Sequence, residues 1–497
     1  MSLKGSAIIE LTNADGSKHI VNHDNMITNA VNDLLKSKRG NMATIFNTMS
    51  NGESYAEALF GGILLFGDTL DESADKYSIP TTNIIGYASQ EAYNGLDVAR
   101  GSFNQAESGL QDDGSYKFVW DFATSQANGS IKSLSLCPKI MGQIGASDTA
   151  VKSERRGITT ASKASIAPFN NNGRIYTKDI DGISSYRIIP VAVIGDIMYA
   201  IDMYNILYNS SDSSAFFINN GNVLKLYKFR IGQDSISIKD VCCMATYIET
   251  VDVALPDEFI SALRTSDCPI TFWFDSAKKS LIVFPCSKKS NIEVNGTTKY
   301  IEIALENNME ITSYTFTNNT AGVISSGGDT IGYREKNKNT FFVLNDHIVC
   351  YAIVDGSNKM YVINRNDNTD VKEVKWAAGK EYKIETSDAC YFDPISCRDN
   401  ILIFARNEGN FSYPDWFTYI LDMNTGIIKK TNLSNSGYQG VDIGDNSVDA
   451  VVDTYATYYL TINPFVVTTK NNLDTVISKT SSQTMKITYT LTESEGA

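Results

Sequence analysis

Histidine is scarce in this chain: His19, His23 and His347 are the three found in 497 residues. That scarcity excludes most imidazole metal sites and acid–base relays. The eight cysteines, Cys137, Cys242, Cys243, Cys268, Cys286, Cys350, Cys390 and Cys397, form no CxxC pair, so zinc-site spacing is missing too. They are expected to stay reduced and to pack as small apolar side chains in a chain made in a reducing cytoplasm. Positive charge is also short, with 43 Lys and Arg against 57 Asp and Glu and a net charge of −14. Such a balance argues against wrapping nucleic acid and against docking on an anionic lipid surface.

Long apolar runs are absent. The longest, Ala58 to Phe66, "ALFGGILLF", has nine residues, and about 20 are needed to span a bilayer. A buried helix or strand is the expected reading, with no membrane insertion. The opening stretch "MSLKGSAIIELTNADGSKH" lacks the apolar segment of about 7–15 residues that marks a secretory signal. No GxSxG, Walker loop, HExxH or strand-to-helix GxGxxG occurs. No catalytic residue, metal ligand or cofactor site is therefore assigned, and the ligand-binding residues are left unknown.

What the chain does contain is ordered pattern in an ordinary globular composition, 42% hydrophobic and 20% charged, long enough for two to four domains. Residues 3–22 read as a hairpin around "NADG". From about Asn25 to Arg39, Met26, Ile27, Ala30, Val31, Leu34 and Leu35 recur at helical spacing, with Gly40 as the exit. Residues 67–115 are rich in turn formers, and either form an arm that wraps a neighbouring subunit or make ordinary surface loops. Tyr116, Phe118, Trp120 and Phe122 then share one face of a strand, and Ile131 to Leu136 form a second strand after "ANGS".

Between about 165 and 435, short β-branched and aromatic runs alternate with Asp, Asn and Gly turns, as in "FWFDSAKKSLIVF" and "YILDMNTGIIKK". Asp202, Asp275, Asp355 and Asp422 each follow an apolar strand end, about 65–80 residues apart. Pieces of about 40–45 residues between them fit propeller blades. A propeller of five to seven blades is preferred, with paired sandwiches or an irregular solenoid as alternatives. In the tail, "TYATYYLTINPFVV" alternates, "NNLDTVISKTSSQ" reads as a polar connection, and Met485, Ile487, Tyr489 and Leu491 share one face of a closing strand.

Several features invite a chemical reading and fail it. His347 lies beside Asp346 and near Cys350, but residues one and three apart on a strand share no face. Asp112–Asp113 and Asp257–Glu258 resemble glycosidase carboxylate pairs, yet 57 acidic residues make adjacent pairs inevitable. Tyr413, Trp416 and Tyr419 in "FSYPDWFTY" suit a sugar-stacking surface and suit core packing equally well.

One set of segments resembles a known family. "NMITNAVNDLL", "GGILLFGD", "IIGYASQEAYNG", "RGSFN" and "YKFVWDFATSQANGSIKSLSL", with "NNLDTVISKTSSQTMKITYTLTE" at the other end, look like tail-associated structural proteins of phages, prophages and phage-tail-like bacteriocins of low-GC Gram-positive bacteria. The resemblance covers about 1–145 and 455–497. It implies a baseplate, tail-fibre or receptor-binding type of virion protein, assembled in the bacterial cytoplasm and released by lysis. It also implies other tail proteins and a host-surface polymer or S-layer protein as partners, and a homo-oligomer, a trimer by analogy. The expected fold is mainly β: a β-propeller-like domain (165–435) inserted into a small α+β platform made from an N-terminal region (1–160) and a C-terminal β segment (440–497). The expected role is host adhesion without enzyme activity. A purely structural baseplate component and a glycan-cleaving tailspike are the alternatives.

Overall fold

The computed structural model describes residues 2–31, 44–46, 54–145, 176–177, 188–202, 206–208, 216–218, 222–231, 244–264, 270–285, 291–324, 340–377, 379, 381–385, 392–407, 416–434, 440–444, 451–453, 458–459 and 465–494. Strands β1 (Ser2–Thr12) and β2 (Lys18–Ile27) form the opening hairpin. Asp15 Oδ1 accepts from the Ser17 amide at 2.9 Å, and Gly16 takes a φ of 81°, so the Asp-Gly pair shapes the turn. The helix expected from Asn25 starts later. Asn25 pairs with Gly5 and Met26 with Lys470, so strand pairing on both sides overrides the helical spacing as far as Ile27. Residues 29–31 are helical, and the rest of the expected helix lies outside the described residues.

The apolar run splits between two elements. Helix α1 (Tyr55–Phe60) takes its first half and β3 (Gly62–Phe66) its second. Ser54 caps the helix in a reciprocal box with Glu57. The glycines allow a close crossing at this point: a Cβ on Gly142 of helix α2 (Lys139–Ile144) would lie 2.6 Å from the Gly62 Cα. Then come β4 (Ile84–Ala88), β5 (Ser102–Phe103), β6 (Gly109–Leu110), β7 (Tyr116–Phe122) and β8 (Gly129–Cys137).

Two C-terminal strands, Thr469–Lys479 and Thr484–Ser494, complete one ten-stranded sheet with these eight. Its order is β4, β3, β8, Thr469–Lys479, β2, β1, Thr484–Ser494, β7, β5, with β6 also on β7. The two ends of this path meet. The Tyr87 amide donates to Ala99 O at 2.9 Å and the Gly101 amide to Tyr87 O at 2.8 Å, while Phe103 pairs with Trp120. The sheet thus curls into a barrel, which buries Ile9, Phe118, Trp120, Phe122, Ile487 and Tyr489 in one core. β7 and β8 belong to the same sheet but are not neighbours, because other strands separate them.

The stretch "NNLDTVISK", expected as a polar connection, is strand. Between Asn472 and Ile477 its register against β8 slips, and this irregularity breaks the alternation that would have revealed it.

The inserted part is a succession of antiparallel sheets. Blade one contains Ile188–Ile194, Ile197–Asp202, Val223–Ile231 and Met244–Ala254, with Tyr176–Thr177 beside the last. Blade two contains Ile270–Asp275, Ser280–Pro285, Thr297–Ala304 and Glu310–Thr317. Blade three is built on Phe341–Leu344, His347–Val354, Ser357–Asn364 and Asp367–Glu373. Blade four contains Phe392–Arg398, Ile401–Asn407, Trp416–Asp422 and Ile427–Ser434. A smaller sheet of Gly440–Asp442, Val451–Asp453 and Tyr458–Tyr459 follows.

The first strands of successive sheets touch one another in turn. Phe342 and Phe392 pack at 4.7 Å between blades three and four. The Val193 amide of blade one donates to Ile443 O at 2.7 Å, which returns the small sheet to the beginning. The result is a β-propeller-like ring inserted into a mainly β platform.

Candidate recognition surface

The ring has two unlike ends. At one, most hairpins are short: residues 195–196, 276–279, 305–309, 345–346, 365–366, 399–400 and 423–426 close them, while the links 232–243 and 443–450 are longer in sequence. The barrel docks at this end. The Ser78 amide donates to Asp399 Oδ2 at 2.9 Å, and Lys429 Nζ donates to Thr81 O at 2.7 Å. Leu70 and Ile79 share an apolar cluster with Ile140 and Met141 of α2 and with Ile403 and Ile420 of blade four. Part of the turn-rich 67–115 region therefore lies against the chain's own propeller.

At this docked end the polar side chains are mostly used up. Arg365 sits in a blade-three hairpin and reaches into blade two. It bonds Glu302 Oε2 at 2.5 Å, the Tyr300 hydroxyl at 3.1 Å and the Asn345 carbonyl at 2.6 Å. Its guanidinium also lies over the Tyr300 and Tyr314 rings, at 5.1 and 4.7 Å. Burial pushes the Glu302 carboxyl up, but Ser280 and Arg365 outweigh that and hold it below the ordinary carboxylate value. Arg398 makes a similar clasp, with Nε 2.7 Å from Asp442 Oδ2, between blade four and the closing sheet. These networks tie neighbouring blades together.

The far end is built differently. Most of its connections, 203–222, 255–269, 286–296, 318–340, 374–391 and 408–415, are long in sequence, with one tight turn at Asp355–Gly356. Where described, they are firmly held. Asn318 is fully buried, and its Nδ2 donates to the carbonyls of Ile292 (2.8 Å), Glu293 (3.1 Å) and Gly322 (3.0 Å). This one amide ties two loops and holds up an exposed Val294 between Glu293 and Asn295. Helix α3 (Asp257–Arg264) belongs to the same end. Long, anchored loops on a rigid ring are where proteins ordinarily place binding residues.

His347 is buried with its Nδ1 unbonded, and burial holds its imidazole below the ordinary value. Cys350 is wholly buried, and burial pushes its thiol up, away from the reactive thiolate. Asp113 shapes an exposed platform turn by accepting from the Ser115 amide at 2.9 Å. Asp257 accepts from Asn222 Nδ2 at 3.2 Å, and Glu258 pairs with Lys299, so this acidic pair begins an ordinary surface helix. Tyr419 is a core residue stacked on Phe404 at 5.2 Å. Trp416 begins a strand, and Tyr413 lies outside the described residues.

Three of the four spaced aspartates are turn formers, but at different junctions of their blades. Asp275 Oδ1 accepts from Ala277 N and Lys278 N after a first strand, and Asp422 Oδ1 accepts from Asn424 N after a third. Asp355, at φ 50°, turns between a second and a third strand with Gly356. Asp202 ends the second strand of blade one. Among the described residues, no group of three or more His, Cys, Asp or Glu side chains could hold a metal ion, and no helix is long and apolar enough to cross a membrane.

Arg365, Arg398 and Asn318 were not singled out from the sequence. In "NRND", "SCRD" and "FTNNTAG" they look like any polar residue in a turn, and only the fold turns them inward.

No family model and no curated protein matches the chain. Among solved structures it is similar to a Trypanosoma rangeli sialidase in complex with the inhibitor DANA, at 9% identity and a TM-score of 0.24, over 80% of this chain and 57% of that one. It thus spans little more than half of the sialidase. It is also similar to TolB from Acinetobacter baumannii, at 11% identity and a TM-score of 0.19, over 54% of this chain and 77% of that one. The Dos1 propeller matches at 8% identity and a TM-score of 0.22, over 58% and 77%. Similarity at this level says nothing about activity. The propeller-like reading rests on the strand order itself.

Proposed function

We propose that this chain is a structural protein of a phage tail or phage-tail-like particle. In this reading the barrel attaches it to the baseplate or fibre, and the propeller's far end meets a polymer or S-layer protein of the host surface. One observation carries the reading: the ring is asymmetric. Its end of mostly short hairpins is occupied by the barrel, and most of the connections that are long in sequence join strands at the opposite end. A carrier that presents a binding face needs this division. The wording shared by the terminal segments with tail-associated proteins supports the same assignment. Binding without chemistry is the simplest mechanism, since the described polar clusters are internal ties between blades.

The test uses the full chain and purified walls of low-GC Gram-positive bacteria. Saturable retention, competed by soluble wall polymer, is expected. Retention no greater than that of an unrelated acidic protein of similar size would leave a baseplate role alone. Release of reducing ends from the polymer would replace adhesion with glycan cleavage.

A further inference from the structure

β2 and the strand Thr469–Lys479 form a fork. They pair at Met26–Lys470 and Ile27–Thr469, and the next step of that register sets Asn25 across from Asn471, where the pairing stops. Beyond Asn472 the strand slips against β8 until Ile477. Further along, His23 Nε2 and Asp474 Oδ2 approach to 3.5 Å across the fork.

The angle of this fork is polar, and it opens on the inner face of the barrel. Asn471 pairs with Leu134, which belongs to the barrel core, and Asn25 shares a face with Ile27, which belongs to it too. Tyr489 reaches the same place from the strand Thr484–Ser494. It pairs with Ala7 on β1, and its ring leans over Gly5, the residue opposite Asn25. A Cβ on Gly5 would lie 2.4 Å from the Tyr489 hydroxyl, so the glycine lets the ring approach. Burial raises the pKa of this phenol, and Thr469 and Asn25 beside it oppose the rise.

Five buried polar atoms meet here: Nδ2 and Oδ1 of Asn25, Nδ2 and Oδ1 of Asn471, and the Tyr489 hydroxyl. None closes a hydrogen bond of ordinary geometry among the described residues. Asn471 is 1% exposed and Tyr489 is fully buried, so bulk solvent does not serve them. Buried groups left in this way are rare in folded proteins, and several in one place mark a bound polar molecule.

We propose that Asn25, Asn471 and Tyr489 form a hydration site in the barrel wall, where bound water bridges β2 to the strand Thr469–Lys479 in place of the strand pairing that ends at Met26. The occupant is neutral because the site is. Carboxamides and a phenol offer donors and acceptors alike, with no charge to balance an ion. It is small because Ile9, Trp120, Ile487 and their neighbours fill the rest of the barrel. A buried water makes about three hydrogen bonds, so five such atoms suit about two waters. Bridges of this kind are nearly as favourable as direct hydrogen bonds, and they carry the barrel wall across the fork. The site lies in the barrel and is independent of the role proposed above.

A crystal structure of the full chain that shows ordered solvent, together with melting curves of two variants, tests this. Water is expected within about 3 Å of Asn25, Asn471 and Tyr489. Asn471→Leu keeps the side chain's approximate volume but removes its bonds to the water, and should lower the barrel's melting midpoint by about 2–4 °C. Tyr489→Phe removes a single oxygen, should act in the same direction, and keeps the test open if Asn471→Leu does not fold. Carboxamides of Asn25 and Asn471 bonded to each other with no water between them would overturn the proposal. So would a midpoint that either variant leaves unmoved or raises, since replacing a dry, unbonded polar group with an apolar one stabilises the fold.

Discussion

The barrel and the propeller solve the same problem, a sheet with edges, by opposite routes. The propeller builds from neighbours in sequence: each blade is a run of consecutive hairpins, and the Val193 amide, bonded to Ile443 O, joins the closing sheet to the first blade. The barrel builds from strangers, since β1 lies between β2 and the strand Thr484–Ser494, and β8 lies beside Thr469–Lys479. Local construction makes the ring tolerant of long loops, which can grow wherever two strands join. Non-local construction makes the barrel a fixed joint.

If the two bodies are separate in their energetics, each should be weakened alone. Trp120 is fully buried in the barrel, and Trp120→Ala should cost about 3–5 kcal/mol there. Arg365→Ala strands Glu302 between blades two and three and should cost a similar amount, about 3–5 kcal/mol, in the propeller. Amide exchange resolved along the chain checks this, with faster exchange confined to the barrel residues 2–137 and 465–494 in the first variant and to the blades in the second. Faster exchange everywhere in both variants would make the chain one cooperative body and erase the comparison.

A smaller change should act at the joint. Lys429 donates to the carbonyls of Thr81 and Thr82, at 2.7 and 3.2 Å, across the boundary. Lys429→Met should cost about 1.5–3 kcal/mol and raise exchange in residues 67–83 and in blade four together. Unchanged exchange at Thr81 would mean that the apolar cluster around Ile79 and Ile403 holds the joint alone.

The smallest effect concerns pH, and its sign differs between the bodies. Glu302 is held below its ordinary value. Its contribution is complete above that value and disappears as the pH falls through the folded one, so the propeller should loosen in acid. Lys479, in the barrel, is pushed down by burial to about 8. Between that value and about 10.4, the unfolded chain binds the extra proton, so the barrel should gain stability as the pH rises. Melting curves at acid, neutral and mildly alkaline pH, read separately for the two bodies, should show both slopes. Parallel slopes would contradict the assignment.

The parts of the fold legible in the sequence were those written in adjacent residues. Alternation over Tyr116–Phe122 and over Met485–Leu491 states which face is buried, and the Asn-Ala-Asp-Gly turn states a hairpin. Neighbour order was not legible, because nothing in β7 says that its partner lies more than 360 residues away. Where pattern and pairing disagreed, pairing won, as at Asn25–Ile27 and in the slipped strand Thr469–Lys479. The spaced aspartates each follow a strand, as their sequence suggests, but Asp275, Asp355 and Asp422 turn after a first, a second and a third strand, which their near-even spacing conceals. The candidate surface was the least legible part. Its clearest anchor, Asn318, is an ordinary turn residue until three carbonyls converge on it.

The strand Thr484–Ser494 sits between β1 and β7, both of which leave the ribosome long before it. The blades can therefore close while the barrel still lacks a stave, and the barrel is finished last. A chain broken off before Thr484 would carry a finished ring on an unfinished barrel. Interleaving the two ends thus ties closure of the barrel, and not of the ring, to synthesis of that strand.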